Sequence, residues 1–239
     1  MNEKKLFSIS VVIPAYNEEA YIQTTIEELT PILEEISTAW EIIVIDDAST
    51  DNTQKILGEL SKKDNRLKIL RNSVNSQLGI SLKRGFFAAK QDLVCYIDAD
   101  LPFDFIELKR AVRYMKRCDI LCAYRHDRTC EGLKRIVYSY CYNMLIAILF
   151  QHKIRDINFS FKLFKRKILD NIKLESEGSF IDAELTIKAE RYGYKIYQIG
   201  VDFFPRLEGE STLSSIPVIL KIIKEMLIGW YKIYLKKEC

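Results

Sequence analysis

Between residues 8 and 125 the chain alternates short β-branched runs with longer amphipathic ones, a rhythm that few architectures accept. "SISVVIP" precedes a helical pattern over 18–36, "EIIVIDD" one over 50–62, "LKILRN" one over 79–90, and "LVCYIDAD" one over 104–116, before "DILCAYR". Parallel neighbours can be joined only by a crossover long enough to return along the sheet, so strands spaced by helices build βαβ units. The expected fold is α/β, a Rossmann-like, mainly parallel sheet with helices on both faces. Right-handed crossovers then bring the strand ends carrying Pro14, Asp46 and Asp98 to one edge, where the loops "PAYNEE", "DDASTDNT" and "DAD" meet.

The stretch "VCYIDADLPFD" runs an apolar strand directly into Asp98 and Asp100, with Asp104 four residues on. Asp104, ahead of "FIELKRAVRYMKR", reads as a helix N-cap. A carboxylate leaving water needs a compensating partner, and open parallel sheets bind ligands at this end of their strands. Two hard oxygen donors converging there suit Mg²⁺ or Mn²⁺, which would in turn hold phosphates. No G-x-G-x-x-G follows the first strand and no G-x-x-x-x-G-K-[ST] occurs, which disfavours a dinucleotide-binding Rossmann domain and a P-loop enzyme.

The net charge of +3 in 239 residues neither demands nor excludes an anionic partner and gives nucleic-acid binding no support. The six cysteines, at 95, 118, 122, 130, 141 and 239, show no regular framework, and free thiols in a reducing compartment are expected. Cys118, Cys122, His126 and Cys130 recur every four residues and would form a zinc-ligand face on a helix. "DILCAYR" reads as a strand, however, which breaks that register. The N-terminal "MNEKKLFSISVVIPAYNEE" has too short an apolar run for a signal peptide and reads as the first strand of a cytoplasmic protein.

After residue 130 the pattern turns apolar. "RIVYSYCYNMLIAILF" has an uninterrupted apolar core only from Met144 to Phe150, far short of the roughly 20 residues that cross a bilayer. Arg135, Ser139 and Asn143 stand four apart and share one helical face, either as the solvated edge of a core helix or as the anion-facing stripe of a helix at a membrane surface. "IPVILKIIKEMLIGWYKIYLKKEC" repeats the theme. Lys221, Lys224, Glu225 and Lys232 interrupt it, while Trp230 and Tyr231 with Lys236 and Lys237 suit an interface.

The ordered pieces "VVIPAYNEE", "IIVIDDASTDNT", "NSQLGISLKRGF", "YIDADL", "RIVYSYCYN", "RDINFSFKLFKR" and "PRLEGES" resemble family 2 glycosyltransferases of the GT-A fold. The resemblance is strongest to the dolichyl-phosphate mannosyltransferase and polyprenyl-phosphate glycosyltransferase branch. It covers about residues 8–212, and implies a GT-A domain over 1–212 that includes an interface helix at 131–150, followed by a C-terminal amphipathic helix and basic tail at 213–239. It implies that Pro14, Ala15, Tyr16, Glu18, Asp46, Asp47, Gly79 and Asp98 lie on the nucleotide side, Asp47 reaching the base. Asp98 and Asp100 would be the metal-binding DxD pair. Arg125, Arg135, Ser139 and Arg206 would meet the acceptor phosphate, and Glu184 would be an acid near the acceptor side; Asp100, Arg125, Glu184 and Arg206 carry the catalytic expectation. Pro102 stands where relatives often have a metal-binding Gln, Tyr124 replaces a small Ser, and "NFSF" replaces "TSGF" after Asp156. The two C-terminal membrane helices of some relatives are missing, which favours a peripheral enzyme.

The implied reaction is inverting transfer of a sugar from a nucleotide-diphosphate donor, of the GDP-mannose or UDP-glucose type, to a polyprenyl or dolichyl phosphate at the membrane surface. A phosphate nucleophile is already ionised at neutral pH and needs positive charge more than a general base. Two alternatives stay open. The first is transfer to a saccharide or protein hydroxyl, with Asp182 or Glu184 as base; the second is a catalytically silent nucleotide-sugar-binding or membrane-adaptor protein.

Overall fold

A computed structural model describes residues 5–100, 103–128, 132–203 and 216–235, with the side chains of 134, 135 and 216–221 outside the description. The elements run β1 (Ile9–Ala15), α1 (Ile22–Ile36), β2 (Trp40–Asp46), α2 (Thr53–Lys63), β3 (Leu67–Arg71), α3 (Leu78–Ala88), β4 (Leu93–Tyr96) and α4 (Glu107–Tyr114). Next come β5 (Ile120–Arg125), α5 (Leu133–Phe150), β6 (Lys162–Lys165), a short 3-10 helix (Arg166–Asp170), α6 (Ile181–Arg191), β7 (Ile196–Val201) and α7 (Ile216–Trp230), which ends in a π-helical turn (Tyr231–Leu235).

Among the described residues seven strands form one sheet in the order β3-β2-β1-β4-β6-β5-β7. β1 pairs parallel with β2, Ala15 opposite Asp46, and with β4, Val12 opposite Tyr96, so three C-terminal strand ends share one edge as expected. Two strands were not announced by the sequence: β7, parallel to β5 at the sheet's edge, and β6, which lies antiparallel between β4 and β5. Its four residues, "KLFK", begin and end on lysine and carry no β-branched run. The neighbours override the local signal: Phe164 is buried opposite Val94 and Ile120, and Lys162 opposite Tyr96 and Cys122. β2 is buried along its whole length, as a strand covered on both faces must be, whereas the edge strand β3 turns its later residues partly to solvent.

Two apolar layers sandwich the sheet. On one face α1 lays down Ile22, Ile26, Leu29 and Leu33 against Val11, Ile13 and Ile42. Burying each such side chain contributes about 1.5–3 kcal/mol relative to leaving it exposed. On the other face α3, α5, α6 and α7 cover Val12, Ile43, Val94 and Phe164. α7 joins this second core through Met226 and Ile233, while Trp230 Nε1 donates to the Leu149 carbonyl at 3.1 Å and Tyr234 donates to that of Phe150 at 2.9 Å. Among the described residues no helix is long and apolar enough to cross a membrane.

Two helices start later than the sequence pattern suggests. α1 begins at Ile22 rather than at residue 18, because the N–H groups of Asn17, Glu18 and Glu19 donate across to Ser49 Oγ, Thr53 Oγ1 and Asp51 Oδ2. α4 begins at Glu107, and Asp104 caps the turn before it by accepting the Ile106 N–H at 2.9 Å. Cys122 lies in β5 and Cys118 just before it, so their four-residue spacing forms no helical face; Cys130 lies outside the described residues.

α3 approaches the sheet closely only because position 85 is glycine: a Cβ there would press into Val12 Cγ1 and Ile45 Cδ1. Gly58 in α2 has nothing within 4 Å of such a Cβ. Gly85→Ala is expected to cost about 1–3 kcal/mol by overpacking, and Gly58→Ala to gain about 0.5–1 kcal/mol through helix propensity, both read from urea unfolding midpoints.

Candidate active site

The edge formed by β1, β2 and β4 is a topological switch point: the chain winds from β1 out to β3 on one side and returns to β4 on the other. After β4 the backbone delivers Asp98 and Asp100 to this edge with Ala99 turned inward and buried. Thr25 Oγ1 of α1 donates to the Ala99 carbonyl at 2.6 Å, and Ile97 N–H donates to Val12 at 3.2 Å. The alternation leaves both aspartates half-buried, and the small residue between them lets α1 pack against the loop.

Beneath this loop lies a polar cluster built by sheet register. Tyr96, Lys162 and Cys122 stand opposite one another on β4, β6 and β5, so their side chains share one face. Tyr96 OH donates to Asp98 Oδ1 at 3.4 Å, and the Lys162 ammonium lies 5.6 Å from the Tyr96 ring centre. Lys162 Nζ also donates to the Phe159 carbonyl at 2.7 Å and pairs with Asp182 Oδ1 at 2.6 Å. Burial, and then the charges of Asp98, Asp182 and Asp100, push the Tyr96 phenol well above its ordinary value. Burial also raises the Asp182 carboxyl, against the pull of Lys162. Three carboxylates thus bear on one phenol, and the buried Lys162 ammonium pairs with one of them, Asp182. Hard oxygen donors in such a field fit a divalent cation. Among the described residues no cluster of three or more His, Cys, Asp or Glu side chains forms a cage for a metal ion.

The β1 and β2 loops are stitched into one wall. Asn17 Oδ1 accepts the Thr50 N–H at 2.8 Å, and Glu19 Oε2 accepts from Asn52 N–H and Nδ2 at 2.9 and 2.7 Å. Asn17, Ala48 and Gln77, three of the four non-glycine residues with positive φ among the described residues, sit in these loops and at the start of α3. Such backbone costs on the order of 1–3 kcal/mol per residue and persists where a site over-determines it. Tyr16 is exposed at the rim, while Pro14, Ala15 and Glu18 line the β1 end.

Several expected residues are occupied differently. Asp46 is wholly buried, accepts the Ser49 N–H at 2.9 Å and lies 3.6 Å from Arg71 Nε, so it shapes the loop from behind. Asp47 accepts the Ser76 and Gln77 N–H groups at 2.9 and 3.2 Å, along with Asn72 Nδ2, and fixes the segment leading into α3. Arg125, expected at the acceptor phosphate, is turned inward: Nε and Nη2 grip Asp156 at 2.7 and 2.8 Å between the rings of Phe159 and Phe203. Glu184 accepts the Glu175 and Ser176 N–H groups and pairs with Lys188 at 3.0 Å, and is buried. Arg206 and Pro102 lie outside the described residues; Arg135 falls within α5, with its side chain outside the description.

Sequence reasoning missed Arg128. It lies in the loop after β5, 3.8 Å from Asp156, and donates to Ser139 Oγ at 2.9 Å. Asn143, on the same α5 stripe, donates to the Ser139 carbonyl and accepts the Ile157 N–H, so the stripe is tied to the loop carrying Asp156. The signal was present in "YRHDR", where a second arginine follows the first by three residues.

A doubly wound sheet of this order, with an acid pair at its switch point, has the GT-A architecture of nucleotide-sugar transferases. The chain belongs to glycosyl transferase family 2, whose sequence profile matches residues 10–173. Relatives include glycosyltransferase AglD of Haloferax volcanii, 29% identical over 94% of this chain but only 37% of that protein. Two others are a dolichyl-phosphate beta-glucosyltransferase of Dictyostelium discoideum (25% identical, 94% of this chain, 76% of that protein) and a dodecaprenyl-phosphate galacturonate synthase of Rhizobium johnstonii (27%, 94%, 68%). Among solved structures, glucosyl-3-phosphoglycerate synthase from Mycobacterium tuberculosis, in complex with Mn²⁺, uridine diphosphate and phosphoglyceric acid, shares the fold with a TM-score of 0.74 at 21% identity, over 94% of this chain and 78% of that one.

Burial alone would raise the Asp156 carboxyl, but the Arg125 guanidinium, and then Arg128, hold it below its ordinary 3.8. Its folded value lies under its unfolded one, so the stability it contributes is complete above about pH 3.8 and is lost as pH falls through the folded value. Asp156→Asn is expected to cost about 3–5 kcal/mol at pH 7 by leaving the guanidinium buried without its carboxylate, and to flatten the acid limb of a stability-against-pH curve measured by urea unfolding.

Proposed function

We propose that the protein transfers a sugar, with inversion, from a nucleotide-diphosphate donor of the GDP-mannose or UDP-glucose type to a polyprenyl or dolichyl phosphate at a membrane surface. The observation that carries this reading is the placement of Arg128 against Ser139 on α5, the helix whose outward stripe is apolar. Leu133, Val137, Tyr140, Met144 and Ile148 are exposed at steps of four, three, four and four, and Leu227, Ile228, Tyr231 and Leu235 are exposed on α7 and its terminal turn. An apolar face beside an anion-binding stripe suits an acceptor whose tail stays in lipid while its phosphate is held by guanidinium groups. The names of the Dictyostelium and Rhizobium relatives support the same acceptor class.

Asp98 and Asp100 would hold Mg²⁺ or Mn²⁺, which when bound neutralises charge developing on the leaving diphosphate. The chain's own groups do the rest. Tyr96, backed by Lys162, holds Asp98 from beneath, and the stitched β1 and β2 loops would form the wall on the nucleotide side, with Asp47 at its back. Arg125, committed to Asp156, keeps Arg128 facing α5, where Arg128, Ser139, Arg135 and Arg206 would receive the acceptor phosphate. A hydroxyl acceptor would need a base, and both acids considered for it are engaged, Asp182 by Lys162 and Glu184 by backbone N–H groups.

The test is a screen of nucleotide sugars with Mg²⁺ or Mn²⁺ and a short polyprenyl phosphate in detergent or vesicles. The wild type is expected to form a lipid-linked sugar, and Asp100→Ala to lose at least about 100- to 1000-fold in rate with its fold retained. Transfer only to hydroxyl acceptors, or donor binding without turnover on any acceptor, would contradict the proposal. Val137→Glu combined with Ile148→Glu is expected to abolish co-sedimentation with anionic vesicles while leaving donor binding intact.

A further inference from the structure

Between the 3-10 helix and α6 the chain forms an irregular strap over residues 172–180, and its surroundings give Glu184 a task other than acid-base chemistry. The Glu184 carboxylate accepts the Glu175 N–H at 3.0 Å and the Ser176 N–H at 2.8 Å. Lys188, itself buried, pairs with Glu184 at 3.0 Å and donates to the Lys173 carbonyl at 2.7 Å, completing the hold from α6. The outer side of the strap rests on the start of α3. A Cβ on Gly79 would stand 2.6 Å from the Ser176 carbonyl oxygen and from the Glu177 carbonyl carbon, and the Ile80 N–H donates to Glu177 at 3.3 Å. Lys83 adds a bond to the Glu175 carbonyl at 3.1 Å. Two residues before Gly79, at positive φ, is Gln77, whose N–H donates to Asp47.

The same strap is gripped from the C-terminal side. Lys232, in the turn that ends α7, lies 3.4 Å from Glu175 Oε2. Glu225 on α7 accepts the Phe180 N–H at 3.5 Å and abuts Gly178. One short segment therefore touches α6, α7 and the helix start that Asp47 fixes.

We propose that Glu184 is a positioning residue for the nucleotide: by clamping the strap against the glycine-bare start of α3, it sets the wall that Asp47 organises, and α7 shares in that hold through Lys232. The inference rests on the reading of this wall as the donor pocket. It differs from an acceptor-side role in what it changes, since a loosened strap weakens nucleotide binding before it slows chemistry.

The experiment is calorimetric titration of UDP and of GDP, each with Mn²⁺, into wild type, Glu184→Gln and Lys232→Met, alongside KM for donor, kcat and thermal melting. Glu184→Gln is expected to raise the Kd of the bound nucleotide about tenfold, with a matching rise in donor KM that outweighs any fall in kcat. If that variant fails to fold, Lys232→Met, at a half-exposed position beyond the strap, decides, with an expected rise of about two- to fivefold. A lowered kcat at unchanged Kd, or a lowered melting temperature at unchanged Kd and KM, would overturn the proposal. Wild type binding neither nucleotide would instead remove the donor reading, and this inference with it.

Discussion

Carboxylates can stand at the end of a buried strand only if something positive meets them. Asp98 and Asp100 emerge at the sheet's switch point above a phenol that already feels Asp182, the carboxylate with which Lys162 pairs. Their position is tolerable because both aspartates are half-buried rather than sealed from water. Much of the surrounding construction holds that edge still. Thr25 ties down the Ala99 carbonyl, and the loops after β1 and β2 exchange side-chain and backbone bonds across the mouth.

The end of β5 facing α5 follows a different logic. Two arginines there, one closing the strand and one in the loop after it, divide the work. Arg125 is sunk between aromatic rings onto Asp156, a geometry that spends its fork on structure. Arg128 reaches from that anchored loop to Ser139 on α5. Such a division gives the outer guanidinium a fixed base without burying it, and it joins the sheet edge to the helix with the exposed apolar stripe.

The sequence disclosed the parallel half of the fold and the acid pair, because both are written in local signals: short continuous β-branched runs, helical spacing between them, and aspartates directly after a strand. It did not disclose β6, whose four residues become a strand only through Val94, Cys95, Leu121 and the other neighbours that cover them. Helix starts were misjudged where backbone donors are taken by another loop, as at Asn17 to Glu19, since no local pattern records a partner more than thirty residues away. The same holds for side-chain roles. Position 184 reads as an acid beside others, and only tertiary packing shows that both its oxygens hold the 175–176 backbone. Asp46, the last residue of a strand buried along its whole length, is likewise spent on the Ser49 N–H and on Arg71, which its sequence position does not reveal.

The central claim is that the edge at Asp98 and Asp100 is built for a cation shared with a diphosphate. Electron paramagnetic resonance of Mn²⁺, titrated into the protein with and without UDP or GDP, reads that claim directly. The account predicts weak binding alone, binding tightened at least about tenfold by one of the nucleotides, and loss of both in a protein carrying Asp98→Asn and Asp100→Asn. Mn²⁺ affinity that ignores the nucleotide, or that survives the double substitution, would contradict it.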